Sequence, residues 1–223
     1  MAYFIACDFD GTVTVRDTLF LIVERFAPHA WQGIEPRLKR GEITLLEAIT
    51  EEFRHVKTTL PEVLVLARAE AGIREGFVEF VEWAKRGGHR LVIVSAGFRS
   101  LIEPLLADAG VLGLEVHAGE AEFTLEGTSV CFTETAGECS EGCGSCKGDT
   151  VRDLASPDAV IVHIGDGFSD LCASRQADVV FARGSLARLL EREAIPYHDF
   201  ETFFDVMAVL SANTSAEVNT SSP

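Results

Sequence analysis

The stretch "YFIACDFDGT", residues 3–12, runs from a short apolar segment into two aspartates, Asp8 and Asp10, set one residue apart and followed by Gly11 and Thr12. Phe4, Ile5 and Ala6 have the pattern of a strand buried on both faces, the kind found in parallel sheets. Asp and Gly also make turns, and these residues alone fit a plain turn equally well. Their position favours chemistry, because open α/β sheets bind ligands just beyond the carboxyl ends of their strands. Two carboxylates so close repel each other unless a cation lies between them, and a hard cation such as magnesium takes oxygen ligands.

Outward from this strand, residues 16–72 carry helical period and no strand pattern. Leu19, Ile22, Val23 and Phe26 recur at i, i+3, i+4, i+7, as do Leu46, Ile49, Phe53 and Val56. Leu60, Val63, Leu64 and Ala67 continue the pattern. Thr44 with Glu47 and Thr59 with Glu62 fit capping boxes. These residues are expected to form a small helical insert.

From Arg74 onward helices and strands alternate. "REGFVEFVEWAKRGG" is an amphipathic helix ending in glycines, "RLVIVS" a buried strand, and "RSLIEPLLADAG" a helix. "EAEFTLEGTSVCFTE" has the form of a hairpin turning at Glu126-Gly127; "DAVIVHIGDG" and "ADVVFA" are further buried strands. Such alternation predicts a parallel sheet with helices on both faces.

The buried strands end in polar residues suited to phosphate. The first ends at Asp8 and Asp10, "VIVSAGF" at Ser95 with the small residues Ala96 and Gly97, and "VIVHIGDGFSD" at Asp166 and Asp170. Lys147 stands just ahead of a helical segment. Each alone has an ordinary structural explanation; the combination is what carries weight.

The whole chain of 223 residues is 47% apolar and has 19 basic against 35 acidic side chains, a net charge of −16. Nucleic acid and anionic membranes bind basic surfaces, so neither is an expected partner. A small anionic ester is not excluded, since local charge and a metal govern a pocket. No run of 18 apolar residues occurs, and no basic region precedes the first apolar run. The expected setting is cytoplasmic, with reduced cysteines. Residues 211–223 are polar and low in complexity, and a disordered tail is expected there.

"DFDGT", "VSAG", Lys147 and "GDGFSD" resemble, in order, the four motifs of the haloacid dehalogenase superfamily. The Ser-Ala-Gly element and the Gly-Asp-Gly-x-x-Asp ending resemble its phosphoserine-phosphatase-like branch. The resemblance implies an α/β fold, a Rossmann-like doubly wound parallel sheet with a small inserted helical cap. The core would comprise residues 1–15 and 73–210, the cap 16–72. It also implies a phosphatase acting on a small phosphorylated metabolite, with a phosphomutase as the other option. Asp8 would be the nucleophile that forms an aspartyl-phosphate and Asp10 the general acid and base. Ser95, Ala96, Gly97 and Lys147 would hold the phosphate. Magnesium would be held by Asp8, the Asp10 carbonyl and Asp166, with Asp170 behind.

Asp17 falls where phosphoserine phosphatases carry a carboxylate for the substrate amine, though it also suits a helix N-cap. Their arginine for the substrate carboxylate falls near Glu52, which has the wrong charge, and Arg54 would face elsewhere. "AGIREGFVEFV", "CSEGCGSCK" and "VFARGSL" with "IPYHDF" resemble the methionine-salvage phosphatases that act on 2-hydroxy-3-keto-5-methylthiopentenyl-1-phosphate. Cys139, Cys143 and Cys146, with Cys131 earlier, have spacing that suits structural zinc, reduced thiols or an adventitious disulfide. The rival from another class is a non-catalytic phosphate-binding protein of the same fold.

Overall fold

The computed structural model describes residues 2–132 and 146–220. A seven-stranded sheet has the order β4-β3-β2-β1-β5-β6-β7. The strands are β1 (Tyr3–Cys7), β2 (Arg90–Phe98), β3 (Glu115–Phe123), β4 (Thr128–Cys131), β5 (Val160–Gly165), β6 (Val179–Ala182) and β7 (His198–Asp199). All pairings are parallel except β3 with β4. All five residues of β1 are buried, as the apolar run required. The chain leaves β1 to build one side of the sheet through β2 and returns to its other edge at β5. The order therefore reverses between β1 and β5, where such sheets open a crevice.

The hairpin stands as expected, with Phe123 opposite Thr128. The sequence pattern missed the start of β3, which pairs with β2 from Glu115, and the two-residue β7. Helices α5 (Phe77–Arg86), α6 (Arg99–Asp108), α7 (Lys147–Leu154), α8 (Leu171–Ser174), α9 (Gly184–Glu193) and α10 (Phe203–Thr220) cover the sheet. The tail expected to be disordered from 211 is instead helical as far as Thr220. Val206 and Leu210 are fully buried and anchor the first turns of α10, and extending an anchored helix costs little compared with starting one.

Residues between β1 and α5 form α1 (Thr18–Phe26), α2 (Trp31–Lys39), α3 (Leu45–Phe53) and α4 (Leu60–Glu70). At Thr44 both arms of the capping box are made: Glu47 N–H donates to the hydroxyl at 3.1 Å and Thr44 N–H to the Glu47 carboxylate at 2.7 Å. At Thr59 the Glu62 carboxylate accepts from the backbone N–H at 3.0 Å. Leu21, Ile22, Ile49, Phe53 and Val63 make one buried cluster with Phe98 and Leu101 of the core. The Phe53 and Phe98 rings meet edge to face, 4.8 Å between centroids. Among the described residues no helix is long and apolar enough to cross a membrane.

The two segments that lead into and out of these helices run side by side. Thr14 bridges to Ile73, and Arg74 N–H donates to Val13 O at 2.8 Å. The buried Arg74 guanidinium donates to Thr12 O and Gly11 O, both at 2.7 Å, and to Thr14 O at 3.2 Å. It thus ties down the loop that follows the two aspartates.

Candidate active site

Phe9 is fully buried in the core, so alternation along the backbone sends Asp8 and Asp10 to the opposite side together. Asp8 N–H donates to Ile164 O at 2.9 Å, which continues the β1–β5 ladder one residue beyond the strand. Asp8 and Asp10 line a cavity of about 420 Å³ at the carboxyl end of the sheet. Asp17, Ser95, Ala96, Gly97 and Asp166 line it as well.

The two aspartates have different partners. The Lys147 ammonium donates to Asp8 Oδ1 at 2.6 Å and to Asp170 Oδ1 at 2.7 Å. Lys147 and Asp170 are buried behind Asp8 and are not among the residues lining the cavity. Asp10 Oδ1 accepts from Thr18 N–H at 3.0 Å and from the Thr18 hydroxyl. Asp10 Oδ2 accepts from the Ser95 hydroxyl at 3.4 Å, and Ser95 Oγ accepts from Gly97 N–H at 2.9 Å. A Cβ on Gly97 would come within 2.4 Å of Asp10 Oδ2, so only glycine lets this loop approach the acid. Gly11, at φ +79°, has the same role beside Asp166, whose carboxylate would lie 2.5 Å from a Cβ.

Asp170 spends both oxygens on donors. Its Oδ2 accepts from Asp166 N–H at 3.2 Å and Gly167 N–H at 3.0 Å, which shapes the Gly-Asp-Gly loop. Thr12 Oγ1 lies 3.4 Å from Asp166 Oδ1. Asp17 caps α1 by accepting from Phe20 N–H at 2.9 Å, and it also lines the cavity.

Burial and mutual repulsion raise most of these carboxyl groups. Asp8 is pushed up to about 6 by burial and by Asp170, against the pull of Lys147. Asp10 is pushed up to about 7 by burial and by Asp17. Asp166 reaches about 8 through burial, Asp8 and Asp170. Burial also opposes the charge on Asp170, but Lys147 and His163 outweigh it and hold that carboxyl below its ordinary value. Burial works against the Lys147 ammonium too, and its two aspartates hold it well above the ordinary lysine value.

A carboxylate oxygen from each of Asp8, Asp166 and Asp170 lies within 4.8 Å of the others. Hard oxygen donors, crowded enough to resist ionisation, fit a divalent cation such as magnesium. Zinc finds no support. Cys139 and Cys143 lie outside the described residues, Cys131 is exposed at the end of β4, and Cys146 is buried against Cys172. Among the described residues the acidic trio is the sole cluster with metal-ligand geometry.

The far wall of the cavity belongs to the inserted helices. Leu19, Phe20, Val23, Trp31, Leu45 and Ile49 make it apolar, and Glu52 lines it too. Arg54, one helical residue pair away, is not among the lining residues. Thr18, Thr12, Arg74 and His163 had escaped sequence reasoning. Threonine and a linker arginine carry no local signal, but a histidine inside the apolar run "VIVHIG" does.

A doubly wound sheet with a helical insert and paired aspartates at the end of its first strand defines a class of hydrolases. The chain belongs to that class: the family model for haloacid dehalogenase-like hydrolases matches residues 5–175. Within it the chain is a phosphoric monoester hydrolase. It is 35% identical over 207 residues to the 2-hydroxy-3-keto-5-methylthiopentenyl-1-phosphate phosphatase of Geobacillus kaustophilus, covering 92% of this chain and 93% of the relative. The phosphatase of the same name from Bacillus cereus is 34% identical, covering 94% and 96%. A solved substrate-bound phosphoserine phosphatase complex shares the fold, with a TM-score of 0.70 at 16% identity over 94% of this chain and 98% of that one.

Proposed function

We propose that this protein is a magnesium-dependent phosphatase that hydrolyses 2-hydroxy-3-keto-5-methylthiopentenyl-1-phosphate in methionine salvage, through an aspartyl-phosphate on Asp8. The observation that carries this is one cavity with Asp8 and Asp10 on its floor and an apolar wall above. About 420 Å³ suits a small metabolite, within the range of about 300–1,000 Å³ usual for such sites. The relatives at 34–35% identity support the same substrate.

In this reading Asp8 attacks phosphorus and the ester oxygen leaves. Asp10 gives that oxygen its proton, then takes one from the water that attacks the acyl-phosphate, so that phosphate departs and Asp8 is regenerated. Lys147, already on Asp8 Oδ1, orients the nucleophile and offsets negative charge. Ser95 and the N–H groups near Gly97 hold phosphoryl oxygens. Asp8, the Asp10 carbonyl and Asp166 would hold magnesium, with Asp170 behind, and the ion would supply positive charge to the phosphoryl oxygens. Residues 16–72 act as the cap that closes the cavity, residues 1–15 and 73–210 as the core. The setting is the cytosol.

The apolar wall suits a methylthio tail. Phosphoserine suits it less, because Glu52 faces the same space and would repel the substrate carboxylate. The test is kcat/KM with magnesium on the methylthio enol phosphate, phosphoserine and p-nitrophenyl phosphate, for the wild type and Asp8→Asn. A wild type with no turnover on any of them, or an Asp8→Asn variant as active as wild type, would refute the proposal.

A further inference from the structure

β5 is apolar except at one position, His163. Its neighbours Val162 and Ile164 belong to the main core cluster, so His163 points to the opposite face, the one that α7 and α8 cover through Val151 and Ala173. Its strand partners are Ala6 on β1 and Val180 on β6. The ring is fully buried. Nε2 lies 3.2 Å from Asp170 Oδ1, and Nδ1 has no hydrogen-bond partner among the described residues.

An aliphatic residue would serve this strand better, since an unpaired buried polar atom works against stability. A buried polar group with one atom unpaired calls for a reason. The reason lies at the other nitrogen. An ionised Asp170 only accepts, so the facing Nε2 carries a hydrogen. His163 takes one lone pair of Asp170 Oδ1, and Lys147 takes another at 2.7 Å. Asp166 and Gly167 N–H groups occupy Oδ2. With both oxygens engaged, the carboxylate cannot turn, and the Lys147 ammonium is fixed 2.6 Å from Asp8 Oδ1.

We propose that His163 is a positioning residue for phosphoryl transfer: by locking the Asp170 carboxylate from beneath the sheet, it aims Lys147 at the nucleophile Asp8. It touches neither substrate nor Asp8, and the role rests on the phosphatase reading above.

The experiment compares full-length wild type, His163→Leu and His163→Gln with p-nitrophenyl phosphate and magnesium, alongside melting temperatures without metal. Outer partners of catalytic groups are typically worth about 10- to 100-fold. His163→Leu is expected to lose about tenfold or more in kcat with KM nearly unchanged, while its Tm stays at or above that of wild type. His163→Gln, whose side-chain amide can donate to Asp170, is expected to recover most of the kcat. Imidazole ¹⁵N shifts of the wild type should show hydrogen on Nε2, a measurement that needs no variant to fold. A Leu variant with full kcat overturns the role, as does a joint fall of kcat and Tm with no recovery in the Gln variant. An Nε2 without hydrogen overturns it equally. A wild type without turnover would instead overturn the phosphatase reading and this role with it; an active wild type beside an unimpaired Leu variant overturns the role alone.

Discussion

Thr18 donates both its backbone N–H and its hydroxyl to a single oxygen, Oδ1, of Asp10. The first residue of the inserted helices thereby holds the proposed acid of the core, and Oδ2 is left facing Ser95 and the cavity. The oxygen that carries the mobile proton in the proposed mechanism is therefore Oδ2.

Thr18→Val keeps the N–H and loses the hydroxyl. Proton donation matters least when the leaving group is good. Turnover of an alkyl phosphate is expected to fall about tenfold, and turnover of p-nitrophenyl phosphate by less. Thr18→Ser should restore both. Steady-state kinetics on the two esters checks this, and equal losses on both would count against it.

The stability of the metal-free protein should depend on pH through Asp8, Asp10 and Asp166. Their folded values near 6, 7 and 8 lie above the unfolded carboxyl value. The folded state therefore holds these protons more tightly than the unfolded chain does. The stability this contributes is complete below about pH 4 and is lost as pH rises through about 6 to 8. In the proposed reading magnesium binds the ionised carboxylates, so the Tm gained on adding it should grow across the same window. Thermal melts from pH 5 to 9, with EDTA or with magnesium, read this directly. A magnesium-induced shift that is the same at every pH would contradict it.

Glu52 lines the cavity, and in the proposed reading it would repel a phosphoserine carboxylate. Glu52→Gln removes the repulsion while keeping size and shape. The ratio of kcat/KM for phosphoserine over that for the methylthio enol phosphate should rise by about tenfold, equivalent to roughly 1.4 kcal/mol. Competition between the two esters in one reaction gives the ratio, and no change would remove Glu52 as a selectivity element.

Arg74 is buried and its guanidinium satisfies the carbonyls of Gly11, Thr12 and Thr14. Arg74→Met would leave those acceptors without a donor. A loss of about 3 kcal/mol is expected, given roughly 1–3 kcal/mol for a buried group left unsatisfied. Urea unfolding of the metal-free protein measures it. A variant within about 0.5 kcal/mol of wild type, the range of neutral surface changes, would show that these linking segments do not depend on this residue.

Much of this molecule was determined locally. The apolar runs of β1, β2, β5 and β6 are too continuous for anything but strands covered on both faces, and the helical spacing of Leu19 to Phe26 and Leu46 to Val56 is equally direct. A strand's end is a local feature as well, so Asp8 and Asp166 could be assigned to the carboxyl edge from the chain alone; Ser95 instead lies within β2, which runs on to Phe98 past a register shift after Val94. Elements that lack a period stayed hidden. α2 contains Pro36 and little apolar rhythm, β7 has two residues, and α10 extends into a polar segment because its first turns are docked.

Only the tertiary structure decided what meets what. Lys147 reaches Asp8 across 139 positions of sequence because β5 and α7 pack beside β1. Helical spacing set Glu52 and Arg54 facing apart, but that Glu52 is the one lining the cavity depends on the rotation of α3 against Phe98. Arg74 acts on carbonyls at least 60 positions away, and Thr18 and His163 on carboxylates eight and seven positions away across loops; such contacts leave no periodic trace. Local propensity and burial set which elements form. The geometry of a site depends on how their faces come together, and that is a property of the packed chain as a whole.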